Sequence, residues 1–127
     1  MTRFYVCGPV TGRKKANRPR FEAARVRLLD DVPHGRVTIP HDLVRPHATK
    51  AQAMRRCCDF ICDRADDSEF TVVALSDWRE SEGAVIEVRL ALSLGVPVQE
   101  IDGARLCRLA LCRDEFTKSE GQIERVR

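Results

Sequence analysis

A chain of 127 residues with 43% hydrophobic side chains holds enough apolar material for one domain with an ordinary core, which argues against intrinsic disorder. Its 22 basic and 19 acidic residues leave a net charge of +3, too balanced to point to a nucleic-acid-binding surface. No apolar run approaches the roughly 20 residues that span a bilayer, and Phe4 to Val6 is too brief for a secretion signal, so the expected location is the cytoplasm.

Arg3 to Cys7 reads as a short β-strand, rich in aromatic and β-branched residues. Gly8-Pro9-Val10-Thr11-Gly12 ends it in a tight turn. A basic run follows (Arg13, Lys14, Lys15, Arg18, Arg20), read mainly as a solvated face. Pro19 is placed to begin a first helix whose inner stripe is Phe21, Ala24 and Leu28. After a loop from Asp30 to Gly35, Arg36 to Ile39 forms a second strand closed by Pro40. His41 and Asp42 lie just beyond it, and residues 43–49 are loop-like. A second helix from Lys50 to Asp63 carries the apolar stripe Met54, Cys57, Cys58 and Ile61.

Past the polar connection Arg64 to Glu69, Phe70 to Leu75 reads as a fully buried strand. Ser76 to Glu82 is a loop holding Trp78. A third helix opens at Ser81-Glu82-Gly83-Ala84 and stops at Gly95, before a strand from Val96 to Ile101. Ala104 to Phe116 stays open between a helix and a strand-like extension, and Gly121 to Arg127 reads as a frayed tail.

The alternation β-α-β-α-β-α-β predicts an α/β fold. The expected form is a single-domain, flavodoxin/Rossmann-like three-layer sandwich. It has a parallel sheet of four or five strands and helices on both faces. Residues 1–127 form one domain, with a core at about 3–101 and an extension at 102–127.

Six cysteines are present, yet no C-x-x-C pair occurs and His34, His41 and His47 show no ligand spacing. Reduced, packed thiols are expected, with no metal and no cofactor.

In such sheets ligands bind beyond the carboxyl ends of the strands. Four loops meet there: Gly8 to Gly12, His41-Asp42, Ser76 to Gly83, and whatever follows Ile101. The Gly8/Gly12 loop allows close backbone approach to a phosphate, and the Ser81-Glu82-Gly83-Ala84 turn presents helix N-terminal N–H groups to an anion. Glu87 lies one turn further along, roughly 6 Å down the axis at 1.5 Å per residue. That separation suits a sugar linking a phosphate to a reacting carbon. Glu87 and Arg89 point to nearly opposite sides of the helix, about 200° apart. The helical neighbours of Glu87 are Gly83, Ala84, Leu90 and Ala91, none able to pair with a carboxylate. An inward carboxylate without a local partner is costly unless it has a task.

Tyr5-Val6-Cys7-Gly8-Pro9-Val10-Thr11-Gly12, then Trp78, then Ser81-Glu82-Gly83-Ala84-Val85-Ile86-Glu87, resemble the nucleoside 2-deoxyribosyltransferase-like superfamily over about residues 3–101. The similarity extends to its small phage and bacterial members and to the 2'-deoxynucleoside 5'-phosphate N-hydrolases. The resemblance implies that Glu87 attacks C1' of the sugar and that Ser81 contacts a 5'-phosphate. It implies that Gly8 lies in a loop lining the nucleotide pocket, that Tyr5 orients the glutamate, and that the chain forms a homodimer or higher oligomer. The superfamily also places a second acid on the second helix. Here Met54-Arg55-Arg56 runs into Cys57-Cys58, and the first acid is Asp59.

Six of these positions carry a second reading. Glu87 could be ion-paired to a distant arginine, Ser81 could only cap its helix, and Asp59 could belong to a solvated charge ladder with Arg55 and Asp63. Tyr5 could serve only the core, Trp78 could stack on a base or plug its loop, and His41 could assist a leaving base or do nothing. The expected substrate site therefore comprises Glu87, Tyr5 and Asp59 for catalysis, and Gly8, Pro9, Thr11, Gly12, Ser81, Gly83, Ala84, Trp78 and His41 for binding. The expected function is N-glycosidic cleavage or deoxyribosyl transfer on a nucleoside or nucleoside 5'-monophosphate. The alternative is a non-catalytic nucleotide-binding module.

Overall fold

The computed structural model describes residues 1–103 and 105–108. Five strands form one sheet: β1 (Arg3–Cys7), β2 (Arg36–Thr38), β3 (Phe70–Leu75), β4 (Val98–Asp102) and β5 (Arg105–Arg108). Their order is β2-β1-β3-β4-β5. The first four run parallel, and β5 pairs antiparallel to β4 with Glu100 opposite Cys107. Four helices connect them: α1 (Arg18–Asp31), α2 (Pro40–Leu43), α3 (Lys50–Arg64) and α4 (Glu82–Ser93). Of the stretch left open between helix and strand, residues 105–108 are β5. Residues 109–127, with Cys112 and the expected tail, lie outside the described residues.

Alternation along the strands sorts the core into two clusters, because successive strand side chains point to opposite faces. Phe4 and Val6 of β1 and Val73 and Leu75 of β3 pack with Phe21, Ala24 and Leu28 of α1. Tyr5 and Cys7, with Val72 and Ala74, pack with Cys57, Phe60 and Ile61 of α3 and with Ala84, Val88 and Ala91 of α4. The central strands are thus apolar on both sides, as a covered parallel sheet requires.

The structure departs from the sequence reading most clearly around α2, β4 and the approach to α1. Pro40 opens α2 instead of merely closing β2: its ring fits the first helical turn, and Asp42 accepts from the Ile39 N–H at 3.1 Å. β4 begins at Val98, not Val96, because Val96 still serves the helix end. Gly95 turns at φ +80, its N–H donates to Leu92 O at 3.1 Å, and the Val96 N–H donates to Ala91 O at 2.8 Å. Ahead of α1, Lys15, Ala16 and Asn17 take φ of 53°, 53° and 59°, a left-handed turn without glycine. Asn17 Nδ2 fastens this turn by donating to Pro9 O at 2.8 Å.

Candidate functional site

The strand order reverses between β1 and β3: β2 lies beyond β1, and β4 beyond β3. A crevice at the carboxyl ends of the strands is expected at such a switch point. A cavity of about 460 Å³ lies there, lined by Gly8, Val10 and Thr11 after β1, by Pro40 and His41 after β2, and by Ser81, Gly83, Ala84 and Glu87 after β3. Arg45 and residues of α3, including Lys50, Met54 and Cys57, complete it.

Glu87 is the buried charge of this site, 6% exposed. The Tyr5 hydroxyl donates to its Oε2 at 3.2 Å. Cys57 of α3 lines the cavity with it. Burial pushes the Glu87 carboxyl up to about 7, against the opposing pull of the Tyr5 hydroxyl and the neighbouring Cys57 thiol. Burial and the neighbouring Glu87 hold Tyr5 and Cys7 well above their usual ranges, and the same causes push the Cys57 thiol up to about 12. Glu87 can therefore exchange a proton near neutrality, while Tyr5 and Cys57 keep theirs.

Ser81 caps α4, its Oγ accepting from the Ala84 N–H at 3.1 Å, so the first turn of the helix starts at the cavity wall. The caps of two helices meet here, since Thr49 caps α3 and lines the same cavity. Lys50 at the rim pairs with Glu82. Gly8 is needed for closeness: a Cβ there would lie 2.7 Å from Leu75 Cδ1.

His41 lines the cavity and is fixed from two sides. Its Nε2 lies 2.8 Å from Ala16 O, and the edge of its ring meets Phe21 at a centroid separation of 4.9 Å. Its buried Nδ1 has no partner among the described residues.

Four expected residues lie elsewhere. Trp78 is buried in the α3/α4 core, 1% exposed, and its Nε1 donates to Glu100 at 3.0 Å; it plugs the loop and offers no face to a base. Asp59 is exposed and does not line the cavity: two positions after Cys57, it falls about 200° round α3, on the solvent side. Pro9 and Gly12 do not line the cavity either. Pro9 is buried, its carbonyl holding Asn17, and Gly12 supplies a turn at φ +78. The sequence reading missed Cys57, Met54, Arg45 and Lys50. The signal for Cys57 was its place on the inner stripe of α3, beside the missing acid. Among the described residues no group of three or more His, Cys, Asp or Glu could hold a metal ion. No helix among them is long and apolar enough to cross a membrane.

The family model described as a domain of unknown function, DUF4406, matches residues 2–100. The chain belongs to this family. In this DUF4406 chain the matched region holds β1 to α4 and most of β4, and with them every residue that lines the cavity. No curated protein and no solved structure matches the DUF4406 chain.

Proposed function

We propose that the protein cleaves the N-glycosidic bond of a nucleoside or nucleoside 5'-monophosphate, or transfers its deoxyribosyl group, with Glu87 as the carboxylate beneath C1'. The observation that carries this reading is the buried Glu87, held by Tyr5 at the wall of a cavity that begins at a helix start. The motif resemblance to the nucleoside 2-deoxyribosyltransferase-like superfamily supports it. The two core clusters on alternate strand residues support that superfamily's three-layer, flavodoxin-like arrangement in one domain. The same resemblance supports a homodimer, which sedimentation tests.

The chemistry follows from the groups present. As the C1'–N bond breaks, its electron pair leaves with the base and positive charge builds on C1' and the ring oxygen. An ionised Glu87 stabilises that charge or bonds to C1'. Water or a second base then takes the sugar. The α4 start with Ser81, and the cations Arg45 and Lys50, favour a phosphate on the substrate.

A second reading rests on Asp59 lying outside the cavity, which removes the nearest candidate for a second acid. On that reading the protein binds nucleotide without turnover. One experiment separates the two: incubate the full chain with a panel of nucleosides and 5'-monophosphates and follow free base by chromatography. Base release that disappears in Glu87→Gln supports cleavage. Calorimetric binding without base release supports the binding module.

A further inference from the structure

We propose that Arg13 is a positioning residue: gripping Asp77 and Glu80, it clasps the loop after β1 to the turn before α4 and so fixes two walls of the cavity relative to each other. The proposal rests on the reading of that cavity as a nucleotide site.

The two walls need a tie because the sheet does not supply one. β1 and β3 pair as far as Cys7 and Ala74. Beyond that rung the chain leaving β1 gives Gly8, Val10 and Thr11 to the cavity, and the chain leaving β3 gives Ser81 and Gly83. Arg13 bridges the two. Its Nη2 donates to Glu80 Oε1 at 3.0 Å and its Nη1 to Asp77 Oδ2 at 3.4 Å. Arg20 of α1 donates to the same Asp77 oxygen at 2.7 Å, so helix, loop and turn share one anchor. An isolated surface ion pair contributes little, but a network around a carboxylate only 20% exposed is a firmer restraint.

The two jaws differ in stiffness. On the α4 side Trp78 is sunk in the core. The Glu80 N–H donates to Asp77 O and the Ser81 N–H to Trp78 O, both at 3.0 Å, and Ser81 then caps α4. Asp77 and Glu80 are thus built into a tight turn that ends at the cavity wall. On the β1 side Thr11 and Gly12 are exposed, and Gly12 turns at φ +78. Asn17 holds the near end of this loop through Pro9 O. Arg13 holds the far end, its own N–H donating to Val10 O at 3.3 Å. The clasp therefore sets where Val10 and Thr11 stand relative to Ser81.

The fork is the reason for an arginine. Two nitrogens of one planar guanidinium reach two carboxylates, which a lysine ammonium, a single point charge, does not reproduce. Arg13 does not itself line the cavity, so it acts on a bound molecule through the loop and not by touching it.

The test compares Arg13→Gln, Arg13→Lys and Glu80→Gln in the full chain. Glu80 is 67% exposed, so its variant is expected to fold normally, with Arg20 still on Asp77. All three are expected to raise KM about fivefold, for a nucleoside and its 5'-monophosphate alike, with kcat little changed. Arg13→Gln combined with Glu80→Gln is expected to be no worse than Arg13→Gln alone. A cation that served the substrate directly would behave otherwise. Glu80→Gln would free it and lower KM for the monophosphate, and Arg13→Lys would keep the wild-type value; either result overturns the proposal. Amide hydrogen exchange at residue 13, whose N–H closes the loop on Val10 O, gives a readout free of turnover. It is expected to quicken about fivefold in Glu80→Gln, and unchanged exchange overturns the proposal. Absence of both base release and calorimetric binding with every nucleotide would remove the nucleotide reading of the cavity, while the exchange rate would still decide whether Arg13 holds the loop.

Discussion

Tyr5 and Glu87 stand 82 positions apart in the chain, and the hydroxyl of the first donates to Oε2 of the second at 3.2 Å. The bond joins the inner strand β1 to the helix that follows its neighbour β3. Tyr5→Phe keeps the ring in its packing against Phe60 and deletes only the donor. The expected loss of stability is about 1 kcal/mol, read from urea unfolding. Base release is expected to fall by about tenfold or more, and its pH profile to move upward, because a carboxylate with fewer donors holds its proton more firmly.

The raised proton affinity of Glu87 also makes stability depend on pH. Its carboxyl titrates near 4.5 in the unfolded chain and at about 7 when folded, so between these values the folded state binds more protons. Stability then falls as pH rises through this window. The full cost, about 3 kcal/mol, is present above pH 7 and absent below 4.5. Glu87→Gln is expected to match the wild type in urea unfolding at pH 5 and to exceed it at pH 8. The base-release rate of the wild type has the opposite slope, rising towards a plateau above pH 7 as the carboxylate ionises.

Gly8 and Leu75 occupy the tops of adjoining strands, and a methyl group on Gly8 would overlap Leu75 Cδ1 at 2.7 Å and Cγ at 2.9 Å. Gly8→Ala is expected to cost about 1–3 kcal/mol. Leu75→Ala alone opens a hole and costs about 2–5 kcal/mol. The double variant is expected to lose less than the sum of the two, since each relieves the other's fault. Three denaturation curves check this.

Asp59→Asn is expected to leave both stability and base release within a factor of two of the wild type. The side chain is exposed and outside the cavity. A large loss of turnover would put an acid back into the reaction from that position.

The elements were legible where local chemistry sets them. The inward face of Glu87 follows from its lack of helical partners, the start of α4 from Ser81, and its end from Gly95. What escaped depended on contacts far along the chain. The order β2-β1-β3-β4-β5 leaves no local mark, and neither does the reversal at β5. Trp78 looked free to stack on a base because its partner, Glu100, lies 22 residues on. Asp59 stood in for an acid on proximity in sequence alone. The turn of the helix puts Cys57 inside, on the cavity wall, and Asp59 outside.

Lys15, Ala16 and Asn17 form the left-handed turn near the cavity, and Ala16 is part of the cavity's lining. For residues with a Cβ this backbone carries a penalty of about 1–2 kcal/mol each. It is offset by two side-chain contacts, Asn17 to the Pro9 carbonyl and His41 to the Ala16 carbonyl. A segment poised so close to release is the first place where amide hydrogens should exchange with solvent. A molecule bound in the cavity against Ala16 is expected to slow amide exchange at this turn.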